Sequence, residues 1–559
     1  MTTIDKLLAV VAVGLFCYGP QVFAQFHDPR ALEADPLTAA EQIAPVLNGL
    51  GDHDFQVTTG SAESQYFFNQ GLRLTYGFNH SEALRAFKEA IRLDPNNAMA
   101  YWGWALALGP NINLPMQPYV VLQAYEAINQ AVALHGDVTP RERAYIDALA
   151  VRYTDDPEAD RSPLDAAYAD AMAALHERYP DDPDAATLYA ASLMNLSPWN
   201  YWRRDGEPRA DTRTVMNVLE AAIAGNPGHA GARHYYIHVV EEERASLAEQ
   251  AADELAQLSP GAGHLVHMPA HIYMRIGRYA DSYEVNRLAS LADEGYIAQC
   301  QAQGIYPLLY YPHNVHFLTW SAMYQGRAAA ALTAARRVYA AIPGNLEGDG
   351  IRPFEQFVSQ PLFVMVRFGD WEGVLSESRP PETARYWTGI WHYARGLASA
   401  NMGDERSAKS ELDALRDLTD EPGMDEYITG RTDAQSLLNI AVEILAGEIA
   451  ANSNSDQEAI SHLERAVRMQ EGLLYSEPPE WYFPSRHYLG AALLESGYPA
   501  EAAVVYWADL REHPENGYSL FGLTAALKAQ GQDALAADAQ SRFRAAWAEA
   551  DVELTSSRF

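Results

Sequence analysis

From about residue 61 to residue 550, apolar residues recur every three to four positions, and no stretch alternates strictly between apolar and polar. That period predicts helices throughout and no strands. The apolar positions are rich in alanine, while Pro and Gly fall mostly between the periodic stretches, where they punctuate helices. The predicted helices come in pairs. Short turns join the two members, as at Gly277-Arg278-Tyr279, Gly326-Arg327, Gly369-Asp370-Trp371, Gly403-Asp404 and Gly497-Tyr498.

The pairs repeat one another. Gly71 is followed by Ala83, Phe87, Ala90 and Pro95; Gly490 is followed by Gly497, Ala502, Tyr506 and Pro514, with the same steps from glycine to alanine and from glycine to proline. Small residues where helices touch and a proline closing each unit resemble the tetratricopeptide repeat. The resemblance implies an all-α, right-handed solenoid of about eleven helix pairs over 61–550, read as one continuous array. It is clearest at 61–95, 263–293, 312–343, 384–418 and 480–514. Insertions stretch the period within 98–227, as at Gly109-Pro110-Asn111-Ile112-Asn113, and again at 294–311. The phrases Phe78-Asn79-His80, Gly263-His264-Leu265-Val266-His267-Met268-Pro269 and His313-Asn314-Val315-His316 further resemble a group of exported bacterial tetratricopeptide-like proteins.

Two segments precede the repeats. Residues 1–25 resemble a secretory signal: Lys6, an apolar run from Leu7 to Phe16, and small residues at Val22-Phe23-Ala24. The expectation is a cleaved leader and a periplasmic or secreted protein. Residues 26–60 mix Pro, Gly and Asp and read as irregular. No window after the leader is expected to span a membrane. Only Cys300 follows the leader, so no internal disulfide is expected. The excess of 74 acidic over 40 basic residues makes a nucleic-acid partner unfavourable.

The candidate chemistry lies in the histidines, seven of the 17 falling within 234–316, in the repeats at 228–343. His234 and His238 stand at the same distances after Pro227 as His267 and His271 stand after Pro260. His264 and His267 stand at the same distances before Gly277 as His313 and His316 before Gly326. Residues three or four apart share a helix face, so each pair can grip one ion. A single pair is more often core or groove lining. Three pairs in register predict a metal site, because neutral imidazoles gain little from crowding and protonated ones repel. The resemblance implies that first helices line a concave groove, which would bring all seven imidazoles to one patch.

All-imidazole ligation suits copper first and zinc second, since no cysteine lies nearby. Met274, three residues after His271, is a possible soft ligand. Glu241 follows His238 by three and is a candidate ligand, orienting group or base. Of the tyrosines before His313 (Tyr306, Tyr310 and Tyr311), Tyr311 is expected to meet substrate or carry a radical. Trp199, Tyr201 and Trp202 form an aromatic knot that packs an insertion or gates the groove. The chain lacks a phosphate-binding loop, a dinucleotide fingerprint and a nucleophile elbow.

The expected function is that of an oxygen-dependent copper oxidoreductase acting on a small molecule or peptide in the groove. The alternatives are a scaffold for a protein or peptide partner, which is what the repeat resemblance alone implies, and copper or zinc trafficking without catalysis.

Overall fold

The computed structural model describes residues 27–344 and 350–559. The expected leader at 1–25 lies outside the described residues. Among the described residues the regular structure is helical, with isolated bridges and no strand. The helices run in consecutive pairs, from Ala62–Tyr76 with His80–Leu93 to Gly517–Ala529 with Asp533–Ala546. The architecture is an all-α array of repeated helix pairs.

One packing device explains the sequence period. The ring of Phe87, on a second helix, sits in the space left by Gly71 on its own first helix and by Gly103 on the next first helix. Tyr506 does the same between Gly490 and Gly522. A Cβ at any of the four glycines would strike the ring, so glycine and aromatic are required together at that spacing. Alanines at the remaining contacts, such as Ala83, Ala86 and Ala90, are fully buried and let the helices approach closely.

Contacts divide the chain into two compact units. One holds residues 27–272 together with Leu288–Tyr311; the other holds Tyr273–Arg287 and the described residues of 312–559.

In the first unit, the segment before the repeats is irregular apart from the short helix Pro29–Glu33. It is nonetheless pinned. Lys88 Nζ donates to the carbonyls of Ala31, Leu32 and Ala34, and Gln70 bonds both Leu47 N and the Pro45 carbonyl. Helices Ala230–Val240 and Gly263–His267, with the part of Pro269–Ile276 up to Ile272, carry five of the histidines.

In the second unit, helix Ala434–Asn452 is long and apolar enough to cross a membrane by length and composition, which corrects the expectation that no window approaches a span. Two thirds of it is buried (67%), with Leu437, Leu438, Ile440, Ala441, Ile444 and Leu445 fully enclosed, as expected of a core helix. A second buried feature of this unit is Asp509. Its carboxylate takes hydrogen bonds from His487 Nε2 (3.0 Å), His513 Nδ1 (3.1 Å), Asn516 Nδ2 (2.6 Å) and the Ser519 hydroxyl (2.6 Å).

Candidate metal centre

Proline shapes the local backbone. Pro269 has no N–H to continue the ladder of the helix that begins at Gly263, so that helix stops at His267 and a new one runs Pro269–Ile276. His264 and His267 therefore ride on one segment and His271 on the next. Upstream, the start of the first segment is fixed by His264 N donating to the Tyr306 hydroxyl (3.3 Å), which itself donates to Asp293 (2.8 Å).

Five of the predicted histidines converge in the first unit. His234, His238, His264, His267 and His271 are 0–3% exposed. Burial places them in the interior and not along an open groove. Ligand nitrogens of His234, His238 and His264 all lie within 4.8 Å of one another. His234 Nε2 and His264 Nε2 are 3.1 Å apart; His267 Nε2 and His271 Nε2 are 3.0 Å apart. Two imidazoles on one ion, each at about 2.0–2.1 Å, stand roughly 2.9–3.4 Å apart for ligand angles near 90–110°. Both Nε2 pairs fall in that range.

The tautomer of His234 follows from its second nitrogen. Its Nδ1 lies 2.6 Å from the Tyr76 carbonyl, which can only accept. Nδ1 therefore carries the proton, and Nε2 presents a lone pair to the cluster, the arrangement of a metal-binding imidazole oriented by a backbone carbonyl. Burial, and then the neighbouring His238, hold the His234 pKa well below its ordinary value. Burial does the same for His238, with His271 adding to it. Both rings are neutral at neutral pH and free to coordinate.

His238 is the most telling member. Among the described residues its Nε2 has no hydrogen-bond partner, and its Nδ1 has only the Glu241 carboxylate at 3.5 Å. Leaving a buried polar nitrogen unpaired costs about 1–3 kcal/mol. Glu241, itself 0% exposed, also lies 3.1 Å from His271 Nδ1. Of the three roles open to it, that position fits orientation of two imidazoles from behind.

Aromatic walls enclose the cluster. Phe78 stands against His234 (4.4 Å between ring centroids), His264 (5.4 Å) and His238 (6.0 Å), and Trp199 meets His238 edge-on at 5.1 Å. Both aromatic residues have left-handed backbone, with φ of 56° and 59°. That conformation is strained for bulky side chains and is held where the surroundings demand it. Asn113, from the insertion at 109–115, accepts from Trp199 Nε1 (3.2 Å), and its amide nitrogen lies 3.5 Å from the Tyr310 hydroxyl. The Tyr310 ring in turn packs on His264 at 5.0 Å. Trp199, Asn113 and Tyr310 thus bridge from one imidazole to another.

The tyrosine against the imidazoles is Tyr310; the Tyr311 hydroxyl donates to Glu294 at 2.9 Å. His313 and His316 belong to the second unit. There His313 packs on Phe317, and buried His316 packs on Phe357 and Tyr482, with its pKa lowered to about 3 by burial against a hydrogen bond to Gln360. Met274 also belongs to that unit, where its sulfur accepts from the Ser321 hydroxyl at 3.4 Å.

A second histidine–carboxylate cluster, His53, Asp184 and His229, has metal-like spacing in the first unit. Hydrogen bonding argues against a metal there. His229 Nδ1 accepts from Ala232 N at 2.9 Å as the cap of helix Ala230–Val240, so in the neutral ring the proton sits on Nε2, facing Asp184 at 3.3 Å. Asp184 also takes the Tyr76 hydroxyl (2.7 Å) and His53 Nε2 (2.9 Å). This knot holds Tyr76, whose carbonyl orients His234.

The chain matches no protein-family model and no curated protein. Similar solved structures include a human IFIT1 dimer with m7Gppp-AAAA, at 13% identity over 87% of this chain and 90% of that one, TM-score 0.29. Another is the APC/C hetero-tetramer Cut9-Hcn1, at 11% identity over 87% of this chain and 74% of that one, TM-score 0.27.

Proposed function

We propose that His234, His238, His264, His267 and His271 form a metal centre, with copper the preferred ion and zinc the second, and that the protein is an oxygen-dependent oxidoreductase acting on a small molecule. The observation that carries the metal reading is His238, a buried imidazole whose Nε2 has no partner among the described residues, beside two others. Copper is preferred because imidazole nitrogens supply the whole candidate ligand set and the divalent affinity order peaks at copper. When bound, copper supplies one-electron redox chemistry and affinity for dioxygen.

The chain's own residues have distinct parts. Tyr76, through its carbonyl, fixes which nitrogen of His234 faces the ion. Glu241 steadies His238 and His271. Phe78, Trp199 and Tyr310 keep the centre dry and admit small molecules in preference to a peptide, as the burial of the cluster requires. A periplasmic or secreted location, proposed from the leader, would supply both oxygen and copper.

Copper-loaded protein should consume oxygen when given a phenol, and zinc-loaded protein should not. Oxygen uptake no faster than that of free copper would sink the oxidoreductase reading; tight copper binding with no uptake would leave trafficking in its place.

A further inference from the structure

In the second unit an irregular stretch of chain packs against side chains of several helices. Residues 552–559 form no regular element, and Glu553 and Thr555 are exposed. The last three residues of this stretch are held closely. The Ser557 hydroxyl donates to the His487 carbonyl (2.8 Å) and meets the Tyr506 hydroxyl (2.7 Å). Arg558 Nη1 donates to both oxygens of Glu448 at 3.1 Å each, and Nη2 pairs with Glu495. The Arg558 carbonyl accepts from Arg367 Nη1 at 3.4 Å. The Phe559 ring meets Trp371 (4.9 Å) and Tyr488 (5.5 Å) edge-on.

The receiving side chains come from several helices: Gln360–Arg367, Trp371–Ser376, Ala434–Asn452, Ser485–Glu495 and Pro499–Glu512. Glu448 is the informative one. It is 1% exposed in an otherwise apolar stretch of its helix, where an unpaired carboxylate is costly. Burial raises its pKa, and Arg558 opposes that shift. Serine, arginine and phenylalanine are each read by separate groups, a hydroxyl and carbonyl, a buried carboxylate, and an aromatic corner. That is side-chain recognition of an extended peptide.

We infer that this face is a binding site for an extended peptide carrying the sequence serine–arginine–aromatic, occupied here in cis by Ser557–Phe559. This inference is independent of the metal centre. A short tether presents its peptide at an effective concentration of about a millimolar, so a second peptide of micromolar affinity binds only when the internal one is weakened.

The test uses a fluorescently labelled peptide with the sequence of residues 552–559 and full-length protein, read by anisotropy. The Arg558→Ala/Phe559→Ala variant should bind it at least tenfold more tightly than the unaltered chain does. Adding Glu448→Gln should remove that gain, as should alanine in place of the arginine in the peptide. Phe559→Ala alone, which keeps the Arg558–Glu448 pair, should give an intermediate affinity and retains the fold if the double variant does not. No binding to a folded variant, or binding indifferent to Glu448→Gln, would overturn the inference. Loss of folding in both variants would also overturn it, making the segment a structural strap.

Discussion

His238→Leu is expected to stabilise the metal-free protein while destroying its metal affinity. The side chain is 3% exposed, packed against Phe78 and Trp199, and its Nε2 has no partner among the described residues. Leucine removes a buried orphan nitrogen whose cost is about 1–3 kcal/mol. Imperfect filling of the ring's place takes part of that back, leaving a net gain of about 1 kcal/mol. A ligand lost from the centre should weaken copper binding by at least about 100-fold, the upper end of what even supporting residues contribute. Urea unfolding with and without copper separates the two effects, because a bound ion raises stability according to its concentration over its dissociation constant. The variant should unfold later than the unaltered protein without copper and gain nothing when copper is added. A merely structural histidine would give the reverse, a less stable metal-free variant.

The largest stability loss is expected at Asp509→Asn. The carboxylate is 0% exposed and is the hub for His487, His513, Asn516 and Ser519. Burial alone would raise its pKa; the charges and hydrogen bonds of His487 and His513 outweigh it and hold the group well below the ordinary range. His487 is itself held near 4, chiefly by burial, with Arg367 beside it. At neutral pH that ring is uncharged, so donated hydrogen bonds are its main hold on the carboxylate. Asparagine turns one acceptor into a donor facing other donors, and the loss should be about 3–5 kcal/mol at pH 7. The sign with pH follows from the depressed pKa. The stabilisation is complete above the unfolded carboxyl's value of about 3.9 and fades as pH falls through the lower folded value. Thermal melts should therefore show a large gap between the two proteins at pH 7 that narrows in strong acid. A gap of equal size at all pH values would contradict the assignment.

Much of this was legible in the sequence because it rests on local period. Gly71, Phe87 and Gly103 repeat in Gly490, Tyr506 and Gly522, and each triple is one ring wedged between two glycines. The histidine pairs were legible for the same reason: residues four apart on a helix share a face whatever the tertiary structure does. What sequence spacing could not give was the surroundings. Tyr310 and Tyr311 are neighbours in the chain, and only the turn of the helical segment through Tyr306–Tyr310 decides which one meets His264. Phe78 and Trp199 could be seen as aromatic, but their left-handed backbone and their place against the imidazoles arise from contacts distant in sequence. The tautomer of His234 depends on the carbonyl of Tyr76, a backbone atom that no residue pattern encodes. Burial of the cluster was missed because the repeat resemblance suggested an open groove.

Whether buried imidazoles of the first unit hold a metal ion is decided by metal stoichiometry. Protein stripped with a chelator, then titrated with copper and separately with zinc, would be dialysed and analysed for bound metal and protein together. At least one copper per chain should survive dialysis, bound more tightly than zinc, and be lost in a folded His234→Ala/His238→Ala/His264→Ala variant. A folded protein that retains neither metal, or that retains the same amount after those three substitutions, would contradict it.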